Sequence, residues 1–408
     1  MGNYLEQVRE QYENYPYPPR DPQAEKTDFQ YIHQCQLDVI NHYHFGGRRD
    51  FSQGLRVLVA GGGTGSAAIM MGEQLRGTPS EIVYIDISTA SLDVAKARTK
   101  VRGLDNIRWI HGSLLDAAAL AGGAFDYIDC CGVLHHLENP EAGLAALAGL
   151  LKDDGVLGIM LYARYGREMI YRLQSLMRLL NAGEEDMQQR VENCKRLLKD
   201  LPAHFMSREE RAKFDFEISQ CGDNGIYDMF LHSHDVAYRI PELYRFAASA
   251  SLDVSHLFFN RDARGNFLYQ PEIYTQDPVL RELFAGLSVP DKQAAAEILH
   301  GRMMKHTFYA VKSGFRPPVL SLDELSLVPY FNMCLGDEEG TYRQLVEICQ
   351  RTNVGDQITI TNSGWKMEFP RSANAKGFFT YLDGKRSTGE IIKAVQAESG
   401  LGEQELLA

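Results

Sequence analysis

The run Val57–Leu58–Val59–Ala60–Gly61–Gly62–Gly63–Thr64–Gly65 constrains this chain more than any other part of it. An apolar, β-branched stretch of this length predicts a strand covered on both faces, and it passes directly into glycines and then a helix-length segment, Ser66–Leu75. Such a strand needs parallel neighbours and covering helices. The following sequence supplies them, with strands predicted at Arg56–Ala60, Ile82–Ile87, Ile107–His111, Phe125–Cys131 and Gly155–Tyr162. Helices are predicted between them at Ser66–Leu75, Thr89–Val101 and Pro140–Leu151, the second opened by Ser88 as N-cap and the third by a first-turn proline. Strand and helix in alternation predict an α/β fold with an open, doubly wound sheet.

Beyond Tyr162 the strand pattern stops, and Arg164–Leu180, Asp186–Leu198 and Arg208–Gln220 read as helices of an insertion at about 164–233. Strand-like stretches resume at Leu252–Asn260 and His306–Lys312, with one helix near Lys292–His300, and are expected as late edge strands. After Gly314 the segment FRPPVL reads as a boundary. Three parts are therefore expected: an N-terminal arm and helix at 1–50 that covers a cleft, a core at 51–314, and a small C-terminal domain at 315–408. The last would hold helices at Glu339–Gln350 and Thr388–Ala397 and short strands at Gln357–Thr361 and Trp365–Phe369.

Composition excludes several classes of function. Acidic residues outnumber basic ones by 54 to 42, a formal charge of −12 that disfavours nucleic acid or an anionic membrane as partner. The cysteines number seven, scattered and without a CxxC, which speaks against a disulfide framework or zinc ribbon. No apolar run approaches the ~18 residues of a membrane span, and the first residues lack a signal-peptide core. The expected location is cytoplasmic. A homo-oligomer is compatible with the sequence.

Glycines after a strand let backbone approach a bound nucleoside, and the next helix offers free N–H groups there. Asp86 ends the following strand, where a carboxylate can accept hydrogen bonds from a ribose diol. This order of elements suits a dinucleotide or an adenosyl group equally. The motifs VLVAGGGTG, VYIDIS, IRWIHGSLLD, FDYIDCCGVLHHLENPE and GVLGIMLYA, taken in order, resemble those of class I S-adenosylmethionine-dependent methyltransferases. The segment Tyr15–Pro16–Tyr17–Pro18 is similar to the N-terminal arm of a bacterial subgroup. The resemblance implies a Rossmann-like seven-stranded sheet with S-adenosylmethionine as cofactor. It places Gly61, Gly63 and Gly65 along the cofactor's methionine and ribose, and Asp86 and Ile87 at its ribose and adenine. Ser113 and Leu114 would lie beside the adenine, and Cys131 and Gly132 beside the transferred methyl.

Methyl transfer is an in-line displacement, so alignment and water exclusion are the main demands on the protein. His135 and His136 follow the fourth strand where the acceptor should lie, and His136 is the preferred base or positioning group. Tyr17 is expected to face the sulfonium, with Tyr15 and Arg20 also reaching the cofactor. Cys130 and Cys131 read as small buried residues, and His232 and His234 as part of a polar wall; no metal is expected. Phe378–Thr388 followed by Glu390–Ile391–Ile392 resembles the end of a PqqD-like, winged-helix-like α+β peptide-binding domain. The expected activity is transfer of a methyl group to an N or O nucleophile of a small metabolite or a peptide or protein side chain. Two alternatives are an NAD-dependent oxidoreductase and a non-catalytic nucleoside-binding, peptide-recruiting protein.

Overall fold

A computed structural model of the chain describes residues 6–258, 269–320, 324–329, 347–353, 355–362, 365–370 and 375–400. These divide into two compact units. The larger comprises the described residues up to Leu37 together with Asp50–Phe258 and Tyr269–Arg316; the smaller comprises Asp38–Arg49 and the described residues from Pro317 onward.

The larger unit is built on strands β1 (Arg56–Ala60), β2 (Glu81–Asp86), β3 (Ile107–His111), β4 (Phe125–Cys131), β5 (Leu151–Ala163), β6 (Ala237–Tyr238), β7 (Leu252–Leu257) and β8 (Lys305–Lys312). Their order is β3-β2-β1-β4-β5-β8-β7, with the two-residue β6 paired to β5. β1 to β5 run parallel, whereas β8 is antiparallel to both β5 and β7. The late strands are therefore not both at the edge, as the sequence suggested. Tyr309 and Phe308 of β8 are fully buried, so β8 takes the inner position and leaves β7 outside.

The helices of the larger unit are α1 (Glu6–Asn14), α3 (Ser66–Gln74), α4 (Thr89–Arg102), α5 (Ala117–Ala121), α6 (Pro140–Leu150), α7 (Glu168–Leu180), α8 (Met187–Lys199), α9 (Arg208–Phe230), α10 (Ile240–Ser249), α11 (Pro278–Ala285) and α12 (Val289–His300); α2 (Leu37–Tyr43) belongs from Asp38 onward to the smaller unit. Local chemistry sets their ends. Ser88 accepts from the N–H of Ser91 to open α4, Gly103 closes it in the left-handed region, and Asn139 caps α6 ahead of Pro140. α7, α8 and α9 pack on one another through a separate apolar cluster that includes Ile170, Leu173, Val191, Phe214 and Phe230. α9 runs past the expected end at Gln220 and is broken at Gly222, whose φ of 56° and ψ of −138° lie outside the helical region.

A buried charge cluster fastens the segment after α1. Arg98 of α4 binds Glu25 through Nε at 2.7 Å and also through Nη2; Arg102 Nε binds the other carboxylate oxygen at 2.6 Å. Arg98 Nη1 also donates to the carbonyl of Thr64 at 2.7 Å, so one guanidinium joins this segment to the glycine loop.

In the smaller unit, strands β9 (Gln357–Asn362) and β10 (Trp365–Pro370) form an antiparallel pair. Ser387 and Glu390 form a capping box at the start of a helix, Thr388–Ser399, and Asp383 accepts from the N–H groups of Lys385 and Arg386 just before it. Most of the predicted helix Glu339–Gln350 lies outside the described residues.

Glu25→Ala leaves Arg98, only 1% exposed, without its counter-charge. A loss of about 3–5 kcal/mol is expected in urea denaturation, largely recovered in Glu25→Ala/Arg98→Met. Equal stability of the parent and Glu25→Ala would remove this pair from the packing of the core.

Candidate functional site

The carboxyl ends of β2, β1 and β4 stand side by side, and β1 is where the strand order turns from one direction to the other, the usual place for a ligand in an open α/β sheet. A cavity of about 220 Å³ opens there. Its floor is made by backbone brought unusually close. A Cβ on Gly61 would lie 2.4 Å from Val133 Cγ2, and one on Gly62 would lie 2.2 Å from the Tyr84 ring. The N–H groups of Gly61 and Gly62 both reach the carbonyl of Ile85, at 2.8 and 3.3 Å.

Asp86 closes this arrangement. Its Oδ2 accepts from the N–H of Gly63 at 2.8 Å and its Oδ1 from the N–H of Ser88 at 2.9 Å. A carboxylate offers about four acceptor positions, so it keeps capacity for a ligand's hydroxyls. Burial raises its pKa, and the backbone N–H groups of Ser88 and Gly63 act against that shift. Ser113 turns its hydroxyl to the N–H of Leu115 at 3.2 Å, which holds the loop after β3 against the cavity.

The opposite wall comes from residues distant in sequence. α1 contributes Val8 and Tyr12, β5 contributes Met160 and Tyr162, and the second half of α9 contributes Asp228. α1 is held by Glu13, whose carboxylate accepts from the N–H groups of Thr89 and Ala90 at 2.8 and 3.0 Å, at the positive end of α4. Asn224 of α9 donates to the carbonyl of Pro16 at 2.6 Å, Glu217 accepts from Tyr17 at 2.6 Å, and Thr64 of the glycine loop donates to the carbonyl of Pro18 at 2.8 Å.

Behind Tyr12 lies a buried polar group. Tyr12 donates to Asp228 Oδ1 at 3.1 Å and its oxygen lies 3.3 Å from Nε2 of His232; the Tyr162 hydroxyl is 3.5 Å from Asp228 Oδ2. His136 stacks on His232 with ring centroids 3.9 Å apart. Its Nδ1 is 3.0 Å from the carbonyl of His234, an arrangement that puts the proton on Nδ1 and the lone pair on Nε2. Burial holds His136 at about 4, so its ring is neutral at pH 7. Burial pushes Asp228 up to about 6, against the opposing effects of Arg167 and of the Tyr12 hydrogen bond. Candidate metal-ligand atoms of His136, Asp228 and His232 lie within 4.8 Å of one another. His232 Nδ1, however, accepts from the N–H of His234 at 3.1 Å, which places the proton on Nε2 and removes that lone pair from metal binding.

Gly61, Gly63, Asp86, Ile87, Ser113, Leu114, Cys131, Gly132, His136 and Tyr17 line the cavity. Gly65, His135, Tyr15 and Arg20 are not among the residues that do. Gly65, at φ 98°, instead lets α3 start against α4, where a Cβ would meet Ala95 Cβ at 2.6 Å. His135 is fully buried against Tyr162 at 3.9 Å, with neither ring nitrogen partnered among the described residues. Tyr15 stacks on Tyr227 at 4.7 Å and donates to Gln188, whereas Arg20 donates to Gln30 at 2.9 Å. Burial pushes the Cys131 thiol up to about 12, so it stays protonated. Tyr12, Tyr162 and Asp228 also line the cavity, although none of them is among the cofactor-binding or catalytic residues expected from the sequence.

A second cavity of about 720 Å³ shares Tyr17, Met160, Tyr162 and Asp228 with the first and extends to Arg172, Phe205 and Lys305.

Residues 58–157 match the family described as methyltransferase domain. This part of the chain is similar to a methyltransferase domain. The chain is 34% identical over 265 residues to protein syc1184_c of Synechococcus sp., covering 63% of this chain and 60% of that one. It is 36% identical over 115 residues to the tRNA 5-carboxymethoxyuridine methyltransferase of Escherichia coli K12, covering 28% and 42%. The matches thus span less than two thirds of either relative. Among solved structures, PKMT2 from Rickettsia typhi in complex with AdoHcy shares the fold, with a TM-score of 0.62, 15% identity, and coverage of 96% of this chain and 74% of that one. The cofactor of the methyltransferase domain is S-adenosylmethionine. Among the described residues no helix is long and apolar enough to cross a membrane.

Asp228 titrates near 6 in the folded chain and near 3.9 unfolded, so the folded state holds the proton more tightly and this carboxyl costs stability as pH rises from 4 through 6. Asp228→Asn, which cannot ionise, should therefore gain up to about 3 kcal/mol relative to the parent between pH 4 and pH 8 in urea denaturation. A parent-to-variant difference that is flat with pH would mean that the carboxyl titrates alike folded and unfolded.

Proposed function

We propose that the chain transfers the methyl group of S-adenosylmethionine to a nitrogen or oxygen nucleophile that enters from the second cavity. The observation that carries this reading is the backbone cradle of Gly61, Gly62 and Gly63 set against an Asp86 carboxylate with acceptor capacity to spare. When bound, the cofactor supplies a methyl carbon on a positively charged sulfur. Asp86 would hold the ribose hydroxyls, Ile87 and Leu114 the adenine, and Gly132 and Cys131 the region of the methyl. Each of these residues lines the one cavity.

The acceptor side belongs to Tyr17, Met160, Tyr162 and Asp228, which are common to both cavities. His136, neutral and with its lone pair on Nε2, is the proposed group to position or deprotonate the nucleophile. Side chains of Tyr12, Tyr17 and Tyr162 line this point and exclude water from it. The smaller unit, by its resemblance to PqqD-like domains, is proposed to recruit a peptide carrying the nucleophile.

Tritiated S-adenosylmethionine incubated with a size-fractionated lysate tests the transfer, and labelled product in any fraction supports it. A melting shift with S-adenosylhomocysteine and none with NAD is expected; the reverse would favour the oxidoreductase reading. Asp86→Ala should weaken S-adenosylhomocysteine binding by about 1–3 kcal/mol in calorimetry. Unchanged affinity would take Asp86 out of the site. His136→Ala should keep cofactor affinity and slow turnover.

A further inference from the structure

Proton positions around Asp228 narrow the chemistry of the methyl acceptor. His232 Nδ1 receives the backbone N–H of His234 at 3.1 Å, so Nε2 carries the ring proton and donates toward the Tyr12 oxygen at 3.3 Å. Tyr12 gives its own hydrogen to Asp228 Oδ1 at 3.1 Å. His136 gives its hydrogen to the carbonyl of His234 at 3.0 Å. Each of these three hydrogens is therefore committed within the cluster. What the cluster can offer a newcomer is acceptors: Asp228 Oδ2, met by the Tyr162 hydroxyl only at 3.5 Å, and the lone pair of His136 Nε2.

Around these acceptors stand aromatic rings. His136 is edge-on to Tyr12 at 6.3 Å and to Tyr162 at 5.5 Å between centroids. The Arg167 guanidinium is paired with Asp235 at 3.0 Å and lies over the Tyr162 ring at 3.4 Å. A buried carboxylate among aromatic side chains, beside donors that are already committed, is complementary to a group that brings several N–H donors and a positive charge. A hydroxyl brings one hydrogen and lone pairs that find no free donor among Tyr12, His136 and His232.

Resting on the S-adenosylmethionine reading above, we propose that this corner is an amine site: the methyl acceptor is an aliphatic amine whose protonated nitrogen donates to Asp228 between the rings of Tyr12 and Tyr162. To become nucleophilic the nitrogen releases one proton to Asp228 Oδ2, which frees its lone pair. That pair forms the new carbon–nitrogen bond, while the electrons of the broken carbon–sulfur bond stay on sulfur.

Sinefungin, which carries an amine on carbon where S-adenosylmethionine carries its methylated sulfur, probes this corner without turnover. Calorimetry with the full chain should show sinefungin binding at least ten-fold tighter than S-adenosylhomocysteine. In Asp228→Asn the preference should fall to three-fold or less, with S-adenosylhomocysteine affinity unchanged and S-adenosylmethionine weakened less than sinefungin. Tyr162→Phe, which keeps the ring and the neighbouring carboxylate, should retain the preference. Equal binding of sinefungin and S-adenosylhomocysteine by the parent would overturn the amine site while leaving the cofactor reading intact. Equal weakening of S-adenosylmethionine and sinefungin in Asp228→Asn would overturn it too, because the carboxylate would then be reading the sulfonium. Absence of S-adenosylhomocysteine binding to the parent would overturn the cofactor reading and the amine site together.

Discussion

The hydrogen bond from the backbone N–H of Gly63 to the carboxylate of Asp86, 2.8 Å long, ties together the two loops on which the cavity depends. It forms only because β1 and β2 are parallel neighbours in a register that pairs Ala60 with Ile85, so that the glycine loop and the strand-ending acid meet. It also fixes what the carboxylate can do. A free acid at a strand end would turn to water, whereas one held by two backbone N–H groups presents its remaining lone pairs in a set direction. The glycines are required by the same closeness, since Val133 and the Tyr84 ring occupy the places where side chains of residues 61 and 62 would project.

From that fixed side the opposite wall follows by a different logic. The described residues before β1 contribute no strand, yet α1 is pinned by Glu13 to the N-terminus of α4, and the segment after it is pinned by Glu25 to Arg98 farther along the same helix. Both attachments use α4, the helix that follows the strand bearing Asp86. α9 then meets the arm at Glu217, Asn224 and Asp228. The break at Gly222 falls between the first of these contacts and the other two, so the helix can change direction and still touch the arm on both sides of the break. The cavity is thus bounded by the sheet, which any doubly wound fold provides, and by the arm and the insertion.

This division explains how much could be read from the sequence. Strand and helix positions in the parallel half were legible because period, glycine loop and capping residues are local signals: β1, β3 and β4 have the bounds that the pattern suggests. The order of the last two strands was not legible, because insertion of β8 between β5 and β7 is decided by burial of Phe308 and Tyr309, not by anything in the strand's own pattern. In the site, residues on strand-end loops could be placed from their motifs. Gly65 shows the limit of that method: its motif position is right for a ligand loop, yet its lack of a side chain serves the contact of α3 with Ala95. Tyr12 and Asp228 are separated by most of the larger unit and share no motif, so only folding brings them together. Tyr15 and Tyr17 alternate along an extended arm and diverge, one toward Tyr227 and one into the cavity.

The two histidines after β4 show how neighbouring identical residues acquire different chemistry. His135 turns inward, is fully buried, and finds no partner for either ring nitrogen among the described residues, so burial keeps it neutral and it packs at a tilt on Tyr162. His136, one residue on, faces the cavity, and the carbonyl of His234 holds its proton on Nδ1. The same residue, His234, also supplies the N–H that fixes the tautomer of His232. One peptide segment of the insertion therefore sets the proton positions of both stacked imidazoles, and through Tyr12 it orients the hydrogen bond to Asp228. The acid–base character of the corner is determined by that backbone segment more than by the histidines themselves, because their common ring chemistry would allow either tautomer.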